Sequence, residues 1–235
     1  MQEICAVIAA GGLGTRLKEY EKNESTKVLI MLNGMSMISS QIRQISRWGV
    51  KRFIIITNPE FDNLIREDID KNHPEKNISF TIQEEPLGIA HALLQVENLI
   101  EVGERILFVL GDNFFGENPI SSIQEINNDK STVFLKNVDN PSEFGVATIN
   151  AGNISKIVEK PKIPESNLAV LGIYLYNYEC FKIIKNLSYS DRGELEITDL
   201  NNELILNNQL DYITYNSWWI DAGTKERIEE LIELL

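Results

Sequence analysis

Gly11-Gly12-Leu13-Gly14-Thr15-Arg16-Leu17 gathers three glycines, a hydroxyl and a guanidinium into one short segment. Glycines let a backbone turn sharply and aim several N–H groups at one anion, with no Cβ in the way. Arg16 adds a forked, permanently charged donor suited to a triphosphate or pyrophosphate. The spacing is not the Walker-A pattern, whose Gly-Lys-Ser/Thr is missing, nor the dinucleotide fingerprint. A glycine cluster by itself also describes a tight turn with no ligand. Lys27, just ahead of Val28-Leu29-Ile30, is a second candidate cation, although its position equally suits a solvated surface lysine.

Two carboxylates complete the set. Asp112 lies in Leu110-Gly111-Asp112-Asn113, at the end of an apolar run, and Asp221 lies in Trp219-Ile220-Asp221-Ala222-Gly223-Thr224, before the last helical pattern. Mg²⁺ takes one or two carboxylates together with phosphate oxygens, and open α/β sheets bind ligands at the carboxyl ends of their strands. The structural alternatives are a turn cap for Asp112 and a helix N-cap for Asp221.

The elements that must position these groups follow from hydrophobic periodicity. Ile4–Ala9, Arg52–Thr57 and Arg105–Leu110 are apolar on both faces, as buried parallel strands are. Met37, Ile38, Ile42, Ile45 and Trp48 recur at helical spacing with Gly49 as a C-terminal stop, and Phe61–Ile69 and Ile89–Leu94 mark further helices. Ile78–Ile82 alternates as a strand. Strand–helix alternation implies a mainly parallel sheet covered on both faces. After about Ser131 the rhythm changes: strands over 133–138, 145–149, 154–159 and 169–176 predict a mixed, partly antiparallel extension where a second substrate sits. Helices near 178–185 and 196–207, a strand over 211–215 and a last helix over 225–235 follow. The reading is one α/β domain over residues 1–235, with halves of about 1–115 and 116–235.

A formal charge of −13 argues against a nonspecific nucleic-acid or anionic-membrane surface. Local amides, a few cations and a metal still allow an anionic substrate. Cys5 and Cys180 sit in apolar contexts and read as buried small hydrophobes rather than a disulfide or metal pair. No signal peptide or membrane-length apolar run is visible, so the cytoplasm is the expected compartment. His73, beside Pro74, reads as a loop residue; Trp218 and Trp219 read as packing residues, with sugar stacking as the alternative.

The glycine loop, Lys27 and the Asp112 segment, together with Val158-Glu159-Lys160-Pro161, Arg192-Gly193-Glu194-Leu195-Glu196-Ile197-Thr198-Asp199 and Trp219–Thr224, resemble the glucose-1-phosphate thymidylyltransferases, in order and over nearly the whole chain. The glycine loop and Glu-Lys-Pro are shared by many sugar nucleotidyltransferases; the Arg192–Asp199 run is more particular to the thymidylyltransferase branch. The resemblance implies a Rossmann-like three-layer α/β/α fold with a mixed central sheet. It also implies nucleotide-sugar synthesis, in which a sugar 1-phosphate oxygen attacks the α-phosphorus of a nucleoside triphosphate and pyrophosphate leaves. Such chemistry needs charge neutralisation and in-line positioning more than a protein nucleophile.

By the same resemblance, Gly11, Gly12, Gly14 and Thr15 cradle the nucleotide, Arg16 and Lys27 stabilise the triphosphate and its leaving group, and Asp112 and Asp221 hold Mg²⁺. Lys160 binds the sugar phosphate; Glu159, Val170 and the backbone near Gly145 and Gly172 line the sugar; Arg192 is a further phosphate contact. Gln83-Glu84-Glu85-Pro86-Leu87-Gly88 resembles the base-reading segment. A Gln amide offers an acceptor and a donor to the N3–H and a carbonyl of thymine or uracil, Gly88 supplies another donor, and the flipped amide serves cytosine. His91 falls where thymidylyltransferases commonly carry Gln and some uridylyltransferases carry His in a related segment; it reads as a packing residue or a supporting neighbour of the site, not a catalyst.

Some positions depart from the pattern. Lys18-Glu19-Tyr20-Glu21-Lys22-Asn23-Glu24 replaces the Pro and Thr usual after the loop's Arg-Leu, and one extra residue precedes Lys27, so a differently shaped loop over the triphosphate is expected. Ile30-Met31 stands for the usual Leu-Pro, and Ser36-Met37-Ile38 for Pro-Met-Ile. The chain is shorter at its C-terminal end than the longer members, whose last helices help form a regulatory nucleotide site, and reduced or absent regulation of that type is expected. The leading expectation is dTTP plus glucose 1-phosphate giving dTDP-glucose. A UTP- or CTP-dependent enzyme acting on another phosphorylated acceptor is the rival, and a catalytically silent nucleotide sensor is the alternative from another class. The apolar side of the last helix, with Ile228, Leu231, Ile232, Leu234 and Leu235, leaves a homo-oligomer open.

Overall fold

Apolar periodicity in the first part of the chain turns directly into alternating strands and helices. The structure is a computed structural model, and it describes residues 3–12, 26–101, 103–121 and 129–235. The first strand, β1, is Ile4–Ala9. A 3-10 turn, Lys27–Leu29, leads into a small hairpin of β2 (Met31–Leu32) and β3 (Met35–Ser36). Asn33 (φ +48°) and Gly34 (φ +90°) form its turn, the Asn-Gly pair that two-residue hairpins favour because both positions need positive φ. Helix α1 is Met37–Arg47, capped by Ser36, whose Oγ accepts from the Ser39 N–H at 3.2 Å. It ends just before Gly49 at φ +94°.

Strand β4 (Arg52–Thr57), helix α2 (Asp62–Asn72), strand β5 (Asn77–Ile82), helix α3 (Ile89–Leu94) and strand β6 (Arg105–Leu110) follow. The short β7 is Asn113–Phe115. Then come β8 (Ser131–Asn137), β9 (Gly145–Asn150), β10 (Asn153–Glu159) and β11 (Leu168–Tyr176). The chain closes with α4 (Cys180–Ile184), α5 (Ile197–Leu206), β12 (Leu210–Thr214), β13 (Trp219–Asp221) and α6 (Lys225–Leu234).

Nine strands form one mixed sheet. Strands β5, β4, β1 and β6 pair in parallel. Beyond β6 the sheet turns antiparallel through β11, which carries β8 on one side, and β12 adds in parallel to β8. Strand β11 is shared along its length: Ile173–Tyr176 pair with β6, whereas Ala169 pairs with Val146 of β9, which in turn carries β10. Between Val170 and Tyr174 the register against β8 shifts, so β11 bulges at Leu171–Ile173.

Successive strand residues point to opposite faces, and both faces are covered. Ala6, Ile8, Phe53, Ile55, Leu107 and Val109 meet Ile38, Ile42 and Ile45 of α1 and Ile65 and Ile69 of α2. Cys5, Val7, Ile54, Ile56, Ile106 and Phe108 meet α3, α4 and α5 through Leu93, Phe181, Leu200 and Leu204. The mixed sheet between two helical layers is the α/β architecture expected. Cys5 and Cys180 are both buried and free. No described helix is long and apolar enough to cross a membrane.

Two features differ from the sequence reading. A separate ribbon of β7 and β13 pairs Asn113 with Asp221, Phe114 with Ile220 and Phe115 with Trp219, and α6 packs Ile228 and Leu231 against it. Three-residue strands carry too little alternation to be visible in sequence. His73 follows α2 as a loop residue should, but it is buried, with Nε2 3.0 Å from the Ser39 carbonyl oxygen of α1. Leu234 and Leu235 at the end of α6 are exposed.

Candidate active site

A cavity of about 470 Å³ opens at the carboxyl ends of β1, β4 and β6, the edge where parallel sheets present loops and strand-end side chains to ligands. Its lining includes the apolar Ile56, Pro86, Ile89 and Leu110 together with Gln83 and Gly88. Gly11, Gly12, Lys27, Asp112 and Asp221 line the same space. Seven of the residues read from sequence therefore converge from five separate segments.

Close backbone approach explains two glycines here. A Cβ on Gly111 would stand 2.7 Å from the Ala9 carbonyl oxygen, which accepts from the Gly111 N–H at 2.9 Å. The ends of β1 and β6 touch only because that position has no side chain. Gly88, at φ +105°, turns the chain against α5's approach: a Cβ there would lie 2.5 Å from the Leu195 carbonyl oxygen. Gly11 is held by Asn58, whose Nδ2 donates to its carbonyl oxygen at 2.9 Å.

The 3-10 turn delivers Lys27 so that its Nζ donates to Asp112 Oδ2. The other carboxylate oxygen, Oδ1, accepts from Asn113 Nδ2 at 2.7 Å. Backbone pairing fixes the second carboxylate beside the first: the Ala222 N–H donates to the Asp112 carbonyl oxygen at 2.8 Å, and Asp221 is the register partner of Asn113. Arg227 Nη1 lies 3.9 Å from Asp221 Oδ2. Neither Asp is a cap. Helix α6 is capped by Thr224, whose Oγ1 accepts from the Arg227 N–H at 3.4 Å. Two carboxylates on one cavity wall match the donor set of a divalent cation that takes its remaining ligands from phosphate and water.

A second group of predicted residues sits beyond Asn113. Gly145 of β9 pairs with Glu159 of β10, and a Cβ on Gly145 would stand 3.4 Å from Glu159 Oε2. Thr198 Oγ1 donates to Glu159 Oε2 at 2.9 Å, and Lys160 Nζ is 3.5 Å from Glu159 Oε1. Lys160 itself adopts φ +41°, with its N–H donating to the Phe144 carbonyl oxygen at 3.0 Å. Gly172, in the bulge of β11 beside Val170, donates its N–H to Asn113 Oδ1 at 3.2 Å. A side chain at Gly172 has no room, since a Cβ would lie 2.5 Å from that same oxygen.

Arg192 is not brought to the cavity wall. Its guanidinium forms two 2.8 Å bonds to Glu196, and it is Glu194 from the same run that lines the cavity. Gly14, Thr15, Arg16 and the segment Lys18–Glu24 lie outside the described residues.

Comparison with known proteins decides the family. Residues 5–235 match the family described as Nucleotidyl transferase. The chain belongs to the nucleotidyl transferase family. Among curated members, it is 33% identical over 234 residues to glucose-1-phosphate thymidylyltransferase of Neisseria meningitidis, covering 95% of this chain and 80% of that one. It is 36% identical over 221 residues to the bifunctional protein GlmU of Methanococcus maripaludis, covering 93% of this chain and 51% of that protein. The chain thus spans about half the length of that relative. A Bacillus anthracis structure assigned as a glucose-1-phosphate thymidylyltransferase superposes with a TM-score of 0.89 at 34% identity, over 98% of this chain and 94% of that one. These matches bear out the Rossmann-like nucleotidyltransferase fold.

In this nucleotidyl transferase the structure also singles out residues that sequence reasoning passed over. Asn113, 2% exposed, joins the cavity to the second group through its side-chain amide. Its signal was a lone amide opening the apolar Asn113-Phe114-Phe115 run. Thr198, which holds Glu159, had no signal apart from its place in the Arg192–Asp199 run.

Proposed function

We propose that the chain transfers a nucleotidyl group from a nucleoside triphosphate to a sugar 1-phosphate with release of pyrophosphate, with dTTP and glucose 1-phosphate as the leading pair. The observation that carries this reading is one cavity lined by Gln83 and Gly88 together with Lys27, Asp112 and Asp221. Its apolar lining suits a pyrimidine and its ribose, and its charged groups suit the triphosphate. Glu159, Lys160, Gly145, Val170 and Gly172 then form the sugar-phosphate side, across Asn113. In this reading residues 1–115 chiefly hold the nucleotide and 116–235 the sugar phosphate.

The reaction needs the sugar phosphate oxygen and the α-phosphorus in line, and compensation for charge gathering on the departing pyrophosphate. Asp112 and Asp221 would hold Mg²⁺, which supplies charge neutralisation at the phosphates. Lys27 rests on Asp112 and is the cation free to transfer to phosphate oxygens once Asp112 engages a metal. Arg16 serves the same end of the nucleotide in this reading. Lys160 takes the acceptor's phosphate, and Glu159, kept in place by Thr198, accepts from sugar hydroxyls.

A panel of dTTP, UTP and CTP against glucose 1-phosphate and an amino-sugar 1-phosphate with Mg²⁺, read by pyrophosphate release, tests the proposal. The expected result is highest turnover with dTTP and glucose 1-phosphate, reduced about 100- to 1000-fold by Asp112→Asn. Preferred turnover of UTP would move the assignment to a uridylyltransferase on the same site. Nucleotide binding without turnover of any pair would replace transfer with sensing.

A further inference from the structure

A second cavity, of about 380 Å³, shares no lining residue with the first. Arg43, Ser46 and Arg47 line it from α1, and Asn72, His73 and Lys76 from the end of α2 and the turn after it. No carboxylate is among its lining residues, in a chain with 35 Asp and Glu against 22 Lys and Arg. The side chains of Arg43, Arg47 and Lys76 make no hydrogen bond or ion pair among the described residues. Asp68, which acts on the His73 ring, has both oxygens engaged elsewhere. Its Oδ2 accepts from Ser36 Oγ and, at 2.6 Å, from Ser39 Oγ, and its Oδ1 accepts from Asn72 Nδ2 at 3.2 Å.

Arg43 and Arg47 stand one turn apart on α1, a like-charge spacing that weakens a helix. The negative C-terminal end of α1 accounts for Arg47, in its last turn. It does not account for Arg43, one turn earlier, nor for Lys76, which lies beyond α2. His73 adds no charge of its own: a carbonyl oxygen only accepts, so the Nε2 that lies 3.0 Å from the Ser39 carbonyl oxygen carries the proton of a neutral ring. Burial is the main influence lowering the His73 pKa, and Lys76 and Arg43 add to it, so cations from two elements act on one ring.

We propose that this second cavity is an anion site for inorganic pyrophosphate, held by Arg43, Arg47 and Lys76. Two guanidinium forks and an ammonium supply the charge-assisted donors that phosphate oxygens take. A single phosphate group carries a charge of about −2 at most near neutral pH, which leaves three cations under-compensated; two linked groups compensate them. Met35 is the one apolar side chain in the lining, whereas Ile56, Pro86, Ile89 and Leu110 all line the first cavity. The second cavity therefore offers a base little to pack against, and the ligand is the diphosphate alone. The inference stands independently of the reaction proposed for the first cavity.

The side-chain Nε–Hε signals of Arg43 and Arg47 in ¹H–¹⁵N spectra, assigned by substitution, report this cavity separately from the first. Pyrophosphate, orthophosphate and dTDP are titrated in turn at low salt without Mg²⁺. Pyrophosphate should shift both signals saturably, orthophosphate should bind at least about tenfold more weakly, and dTDP should bind no more tightly than pyrophosphate. Arg43→Gln and Lys76→Gln, each read at the Arg47 signal, should weaken pyrophosphate about tenfold. No saturable shift, or unchanged affinity in both variants, overturns the site. Orthophosphate binding as tightly as pyrophosphate overturns the diphosphate, and dTDP binding more tightly overturns the ligand without a base. Thermal melting separates a ligand cation from one that serves the fold: without pyrophosphate, Arg43→Gln should melt no lower than the unaltered protein, because it relieves the like-charge pair. A lower melting temperature in that variant assigns Arg43 to the fold and overturns the proposal.

Discussion

Trp219 Nε1 donates a 2.7 Å hydrogen bond to Asn113 Oδ1, across 106 residues of chain. The same oxygen accepts from the Gly172 N–H, and the amide nitrogen beside it donates to Asp112. One buried amide thus ties the β7–β13 ribbon, the bulge of β11 and the strand-end carboxylate into a single unit. Trp219 is held from its other side by the edge of Phe144, with ring centroids 5.1 Å apart.

Asn113→Ala removes the acceptor for two N–H donors at once. The expected loss of stability is about 2–4 kcal/mol, because donors left unpaired in the interior keep their full desolvation cost. Trp219→Phe removes one donor and keeps the aromatic packing, so a smaller loss of about 1 kcal/mol is expected. Urea unfolding of the two variants measures both; equal losses would contradict the shared-acceptor arrangement.

Gly88→Ala meets two obstacles together: a φ of +105° and a Cβ only 2.5 Å from the Leu195 carbonyl oxygen. Destabilisation of more than about 2 kcal/mol is expected, since backbone rather than a flexible side chain must give way. The comparison is Gly103→Ala, also at positive φ but with open space around the added Cβ, which should cost only about 1 kcal/mol. Thermal melting of both variants reads the difference.

Much of this was legible in the chain because strands buried on both faces and helices with one apolar side leave strong periodic traces. Ile4–Ala9, Arg52–Thr57 and Arg105–Leu110 are the clearest cases, and their ends carry the site. What the sequence hid depends on long-range partners. Asn113 reads as one polar residue until β13 and β11 fold around it. Arg192, four residues before Glu196, donates to that carboxylate from Nε and Nη2, a pairing that the run of letters does not announce. Arg105, 1% exposed, opens the buried strand β6, and its Nη2 donates to the Lys130 carbonyl oxygen inside the fold. Burial holds its pKa down to about 10.

His73 makes stability depend on pH. Burial is the main influence lowering its pKa, with Lys76 and Arg43 adding to it against the Ser39 carbonyl and Asp68. A histidine whose folded pKa lies below its unfolded value stabilises the fold as the neutral ring. That contribution is present above about pH 6.5 and is lost as the pH falls, because the unfolded chain takes up the proton first. His91 shifts in the same direction. The unfolding free energy should therefore fall between about pH 7.5 and 5.5, and His73→Gln should flatten part of that slope. An unchanged slope in the variant would count against the buried neutral ring.

Neither thiol should react in the native protein. Cys5 is fully buried and its pKa is pushed up to about 12, chiefly by burial. Cys180, 1% exposed, is also pushed up by burial. Iodoacetamide at about pH 8 should leave both unmodified until denaturant is added, with mass spectrometry as the readout. Labelling of either residue in the folded protein would show that its strand or helix opens locally.

Strand β11 touches both sides of the proposed reaction, pairing with β6 at one end and reaching β9 at the other, with the Gly172 bulge between. It therefore works as a ruler. On the proposed function, the separation of nucleotide from sugar phosphate would be set by how many residues lie between those two pairings. One residue added or removed would slide one end by about 3.3 Å. That is about the whole distance over which two reacting atoms must be held.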